Sequence, residues 1–99
     1  MILRLVIEPE AEADIARAAD WYEERAPLLR VQFLRAIDSA VESIQGNPHQ
    51  YQLVYGKARR AMLERFPYAL IYVASEHELI VAACFHCSRD PKRWQSRTG

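Results

Sequence analysis

The chain has 99 residues, of which 51% are apolar and 26% charged, and its 13 basic and 13 acidic side chains leave no net charge. That length makes residues 1–99 one domain, able to bury a core without disulfides or metal, supports that are needed only below about 40 residues. The composition excludes a disordered chain, no apolar run reaches the ~18 residues of a membrane span, and the first residues lack a signal-peptide pattern. The expected location is the cytoplasm.

Ile2 to Ile7 is a short apolar run rich in strand formers. Glu8-Pro9 then opens a helix, with Glu10, Glu12 and Asp14 complementing its positive end. Ala11, Ile15, Ala18, Ala19 and Tyr22 mark its buried stripe, flanked by Trp21. Ala26-Pro27 breaks the chain and starts a second helix with the stripe Val31, Phe33, Leu34, Ile37, Ala40, Val41 and Ile44. Gly46-Asn47-Pro48 ends it. Helices joined by so few residues pack as an antiparallel hairpin, and a sheet must cover their remaining apolar surface.

A polar loop is expected over His49 to Gly56, then a strand over Ala58 to Phe66, in which Arg59 and Arg60 point to opposite faces. Pro67 breaks that run. Tyr68 to Ala74 follows as a strand, Ser75-Glu76-His77 as a tight turn and Glu78 to Phe85 as the last strand. The predicted fold is α+β, in the order β-α-α-β-β-β: an N-terminal strand plus a helical hairpin packed on a largely antiparallel sheet.

Charge is uneven along the chain. Residues 1–50 hold 5 basic and 9 acidic side chains, whereas residues 51–99 hold 8 and 4. An anionic partner would therefore meet the carboxyl half. Lys57, Arg59, Arg60 and Arg65 gather there, and guanidinium groups suit phosphates or carboxylates. Beyond the last strand, His86, Arg89 and Asp90 lead into Pro91 and Trp94. His86 has the chemistry of a general acid or base, although a hydrogen-bonded structural role is the commoner fate of a lone histidine. Trp94 reads as an anchor folding the tail back on the domain. Tyr51 and Tyr55 lie beside the basic strand, where they either stack on a ligand or pin the loop, while Tyr68 and Tyr72 read as packing. Cys84 and Cys87 with His86 fall short of the four converging ligands of structural zinc, so no metal is expected. With three glycines and no phosphate-binding loop or nucleophile elbow, no cofactor is expected either.

Six local patterns nevertheless occur in a recognisable order. They are Pro9-Glu10-Ala11-x-x-Asp14-Ile15, Trp21-Tyr22, Asn47-Pro48, Arg59-Arg60, Phe66-Pro67-Tyr68-x-x-Ile71-Tyr72 and His86-x-x-Arg89-Asp90-Pro91-x-x-Trp94. Together they span nearly the whole chain, which resembles the ParE/RelE superfamily of bacterial toxins from type II toxin–antitoxin modules, and within it the ParE-like, plasmid-stabilisation branch. The resemblance implies a growth-inhibiting toxin neutralised by a cognate antitoxin protein, with operator DNA bound only through the antitoxin. ParE-like members poison DNA gyrase, whereas RelE-like members cut messenger RNA on the ribosome with strongly basic sites. The neutral charge favours gyrase. In the ribosome-dependent endoribonuclease alternative, His86 with Arg60 or Arg65 would form the catalytic site. A third reading is a non-toxic module that only binds an antitoxin. The residues expected to meet a partner or target are Arg59, Arg60, Arg65, His86, Arg89 and Trp94.

Overall fold

Proline fixes where both long helices begin, because its missing N–H and preset φ suit the first helical position. In the computed structural model, which describes residues 3–89 and 94–98, helix α1 spans Pro9–Arg25 and helix α2 spans Pro27–Gly46. Ala26 alone joins them, in an extended conformation, closing α1 through its N–H to the Tyr22 carbonyl at 3.1 Å. Strand β1 (Arg4–Ile7) precedes the hairpin; β2 (Gln52–Tyr55), β3 (Ala58–Met62), β4 (Tyr68–Ala74), β5 (Glu78–His86) and a short helix α3 (Gln95–Thr98) follow it. The sheet order is β1-β5-β4-β3-β2, with β1 parallel to β5 and every other pair antiparallel. The fold is α+β as expected, with one strand more than the sequence reading gave.

That additional strand, β2, lies inside the segment expected as a polar loop. It has four residues at the sheet edge, and its register with β3 slips between Leu53 and Tyr55, so it leaves no alternating pattern long enough to read. β3 in turn ends at Met62 rather than Phe66. The chain turns there through Arg65, whose φ of 71° lies in the left-handed region, and the Tyr68 N–H closes on the Phe66 carbonyl at 2.8 Å. A side chain in that region costs about 1–2 kcal/mol, a cost glycine avoids. Arg65→Gly is therefore expected to raise the unfolding free energy by about 0.5–1 kcal/mol, the gain reduced by glycine's freer unfolded state. Urea denaturation checks this; a lowered midpoint would mean that the arginine side chain stabilises the turn.

The helices cover one face of the sheet. Ala11, Ala18 and Ala19 of α1, with Phe33, Ile37, Val41 and Ile44 of α2, meet Ala61, Leu63, Leu70, Tyr72, Leu79, Val81 and Cys84. The three alanines let α1 approach closely, while Tyr22, Phe33, Phe66 and Tyr68 form an aromatic cluster with centroids 5.0–6.1 Å apart, its contacts edge-to-face except for the tilted Tyr22–Phe33 pair. Such rings bury large areas, and each pair adds roughly 0.5–1.5 kcal/mol beyond that burial. Val31, expected in the α2 stripe, is exposed instead; residues two apart on a helix do not share a face, and Phe33 takes the inward one.

A bulge in β5 decides which of its side chains point where. Ile71 pairs with Ala83 but Tyr72 pairs with Val81, leaving Ala82 extra. Leu79, Val81 and Cys84 consequently face the helices, while Ala83 and Phe85 face the other side. There Trp94 covers Ala58, Ala69, Ile71, Ala83 and Phe85, its ring 5.8 Å from Phe85 and 6.1 Å from Tyr55.

Candidate functional site

β1 is shorter than the strand it pairs with, and this leaves β5 open on one side. Its last parallel partner residue is Ile7, opposite Val81, and the Glu8 N–H then bonds the Val81 carbonyl at 2.9 Å. Pro9 turns the chain into α1, so from Ala82 onward β5 has no strand on that edge. An open edge in this position needs other partners for its backbone groups. Asp14 supplies one. Its Oδ2 accepts the Cys84 N–H at 3.1 Å and a guanidinium N–H of Arg97 at 2.6 Å, while its Oδ1 accepts from Arg17 at 2.6 Å. Arg97 also donates to the Ala82 carbonyl at 3.4 Å. With the Asp14 side chain only 9% exposed, this one carboxylate ties α1, β5 and α3 together. Asp14 thus points at the sheet rather than serving the helix dipole.

Beside this junction lies a cavity of about 220 Å³ between α1 and the end of β5. Trp21, Tyr68, His86 and Arg89 line one part of it, and Asp14, Arg17 and Arg97 another. The Arg25 guanidinium lies over Trp21, 3.2 Å from the ring centroid, and Arg89 lies 5.6 Å from the same ring. Arg89 also donates to the Tyr68 hydroxyl at 3.0 Å. The His86 ring sits edge-on to Tyr68 at 5.1 Å, and its Nδ1 accepts the backbone N–H groups of Ser88 and Arg89 at 3.2 and 3.3 Å. An Nδ1 engaged as acceptor puts the proton of the neutral ring on Nε2. His86 in that form can donate a hydrogen bond through Nε2, while its Nδ1 lone pair is turned into the Ser88–Arg89 turn and away from any substrate.

The predicted site residues are dispersed. His86 and Arg89 share the cavity, whereas Arg60 pairs in register with Ile71 and so lies on the face away from the helices. Arg65 lines a separate cavity of about 340 Å³ with Arg35, Ser39, Ser43 and Phe66. The expected constellation of His86 with Arg60 or Arg65 does not assemble in this fold. Arg59 faces the helix side and donates to the carbonyls of His49 and Tyr51 at 3.3 and 2.6 Å, which fixes the segment before β2. Tyr51 and Tyr72 complete that fixation, through Ser43 Oγ at 2.8 Å and the Pro48 carbonyl at 2.6 Å. Trp94 is 5% exposed, which makes it an anchor rather than a surface for partners. Asp90 and Pro91 lie outside the described residues. Arg17 and Arg97 join the cavity without any sequence signal, and Trp21 and Tyr68, expected to flank or fill the core, line it with them, because only the packing of α1 and α3 on β5 unites these residues.

Neither thiol is set up for chemistry. Burial and the nearby Asp14 carboxylate push Cys84 up to about 12, and burial also raises Cys87. The two occupy opposite faces of the sheet, Cys84 in the helix-side core and Cys87 against the Trp94 cluster. Among the described residues, no three His, Cys, Asp or Glu side chains converge as a metal site, and no helix is long and apolar enough to cross a membrane.

Residues 5–91 match the family model of the ParE toxin of type II toxin–antitoxin system, parDE. Among solved structures, the chain is similar to the chromosomal ParDE TA system from P. aeruginosa, with a TM-score of 0.76 at 19% identity over 86% of this chain and 96% of that one. No curated protein matches.

Proposed function

Since the chain belongs to the ParE toxin family of type II toxin–antitoxin systems, we propose that it arrests growth in the cytoplasm by inhibiting DNA gyrase and that a cognate antitoxin neutralises it. The observation that carries the choice of target is the dispersal of the candidate nuclease residues. Strand cleavage of RNA needs an acid, a base and phosphate-binding cations around one scissile bond. Here His86 has its Nδ1 lone pair engaged, Arg60 lies on the other face of the sheet and Arg65 lines another cavity. The zero net charge points the same way, because a ribosome-directed nuclease gains affinity from strong basicity.

The purified protein is expected to abolish supercoiling of relaxed plasmid by gyrase, and its induction without antitoxin to give filamentous, DNA-damaged cells. Full supercoiling at saturating protein would overturn the gyrase assignment. If transcripts in those cells were cut at codon positions, the assignment would pass to the messenger-RNA nuclease. Growth unimpaired by expression would leave only an antitoxin-binding module.

A further inference from the structure

The cavity between α1 and the end of β5 carries an excess of positive charge that the fold itself does not use. Of its three arginines, Arg17 and Arg97 are both committed to the single acid present, Asp14. Arg89 is held differently. Among the described residues, its guanidinium donates one hydrogen bond, to the Tyr68 hydroxyl, and pairs with no carboxylate. Tyr68 is itself buried and wedged among Tyr22, Phe33 and His86. A guanidinium tied on one side to a rigid phenol loses less conformational freedom when its remaining donors are taken up.

Ala18 and Trp21 give the cavity apolar lining, with the Trp21 ring 5.6 Å from the Arg89 guanidinium. The space, about 220 Å³, holds a side chain rather than a water or two. Planar paired donors beside an apolar wall match a carboxylate on a short aliphatic stem. A nucleic-acid strand fits less well. It would need several phosphates neutralised along its length, whereas the whole chain is neutral and, among the described residues, one guanidinium lining this cavity is without an acidic partner.

We infer that this cavity is a carboxylate socket, in which Arg89, supported by Arg17, receives an aspartate or glutamate side chain of the antitoxin. The inference rests on the reading that an antitoxin neutralises this chain, and it names where the two would be joined. The engaged carboxylate would lie close to the Asp14–Arg97 junction, so the complex would also hold α3 in place against β5.

The test uses the full chain and the antitoxin encoded beside it, with affinity measured by calorimetry for wild type, Arg89→Glu, Arg17→Glu and, as a charge-matched control at the start of β1, opposite Glu78 at the other end of β5, Arg4→Glu. Arg89→Glu is expected to weaken binding at least tenfold, in line with reversal of one arm of a desolvated charge pair, and Arg4→Glu to leave it within about twofold. Reversing one antitoxin acid to arginine should restore affinity for Arg89→Glu and not for wild type. Should Arg89→Glu lose its native circular dichroism, Arg17→Glu carries the test, since that side chain is 67% exposed. Wild-type affinity in both variants would overturn the socket and leave the antitoxin reading standing. No binding by wild type would overturn the antitoxin reading and the socket with it. Binding of a single-stranded oligonucleotide that is lost on Arg89→Glu, with antitoxin affinity unchanged, would overturn the acidic-peptide assignment in favour of phosphate.

Discussion

Trp94→Ala is expected to lower the unfolding free energy by about 3–5 kcal/mol, the range for truncating a buried aromatic side chain. The indole is the lid on the sheet face that the helices do not cover. It lies over Ala58, Ala69, Ile71, Ala83 and Phe85, and without it that apolar surface meets water. The tail holding it is also secured by Arg97 on Asp14 and on the Ala82 carbonyl. For a domain of this size each kcal/mol shifts Tm by roughly 4–8 °C, so a fall of roughly 12 °C or more should be seen. Trp94→Phe sharpens the expectation. The indole Nε1 is buried and has no hydrogen-bond partner among the described residues, and an unpaired buried donor costs about 1–3 kcal/mol. Phenylalanine gives up some area but removes that cost, so its loss should be well under half that of alanine. An unchanged Tm for Trp94→Ala would mean that the indole contributes nothing to the folded core.

The difference between what local pattern reveals and what only the fold reveals is plain in this tail. Trp94 was legible as an anchor because a tryptophan after a basic, proline-containing segment has few other uses in a small domain. What it anchors to was not legible, because the bulge at Ala82 decides which residues of β5 form that face. Strict alternation from Leu79 would have put Ala83 and Phe85 with the helices; the extra residue sends them to Trp94 instead. Both long helices were readable to within a residue, since Pro9, Pro27 and Gly46 punctuate them and their apolar positions recur at helical spacing. β2 was not, being four residues of edge strand with a slipped register.

For the candidate site the same boundary runs between neighbours in sequence and neighbours in space. His86 and Arg89 share a turn, and so were found together. Arg60 and Arg65 were joined to His86 through the resemblance to basic nuclease sites, and strand alternation and the Arg65 turn carry them elsewhere. Arg17 comes one helical turn before Trp21 on α1 and faces the same cavity, but nothing in its own surroundings distinguishes it from a solvated helix residue. Asp14 is the clearest case. It was read as a helix-terminus charge, whereas its partners Cys84 and Arg97 stand 70 and 83 residues away, a relation no local window contains.

Asp14→Ala is accordingly expected to cost about 3 kcal/mol, unusually much for a charged residue on a helix. Three consequences combine. The Cys84 N–H on the open edge of β5 loses its acceptor, for which about 1–3 kcal/mol is the usual penalty of an unsatisfied buried donor. Arg97 loses the partner that holds α3, although at 25% exposure it can regain water and so keeps the total below that of a fully buried pair. Arg17, largely exposed, loses little. Asp14→Asn separates the first consequence from the other two: its amide oxygen can still accept the Cys84 N–H while the charge is gone, so it should recover about half of the loss. A double-mutant cycle of Asp14→Ala with Arg97→Ala should return a coupling of about 1–2 kcal/mol by urea denaturation, the range for residues sharing one network. A coupling near zero, together with slow amide exchange at Cys84 in Asp14→Ala, would show that β5 closes its open edge without this carboxylate. Rapid exchange confined to Ala82 to His86, with the Glu78 to Val81 stretch still protected by β1, is the signature expected if Asp14 completes the sheet where β1 stops.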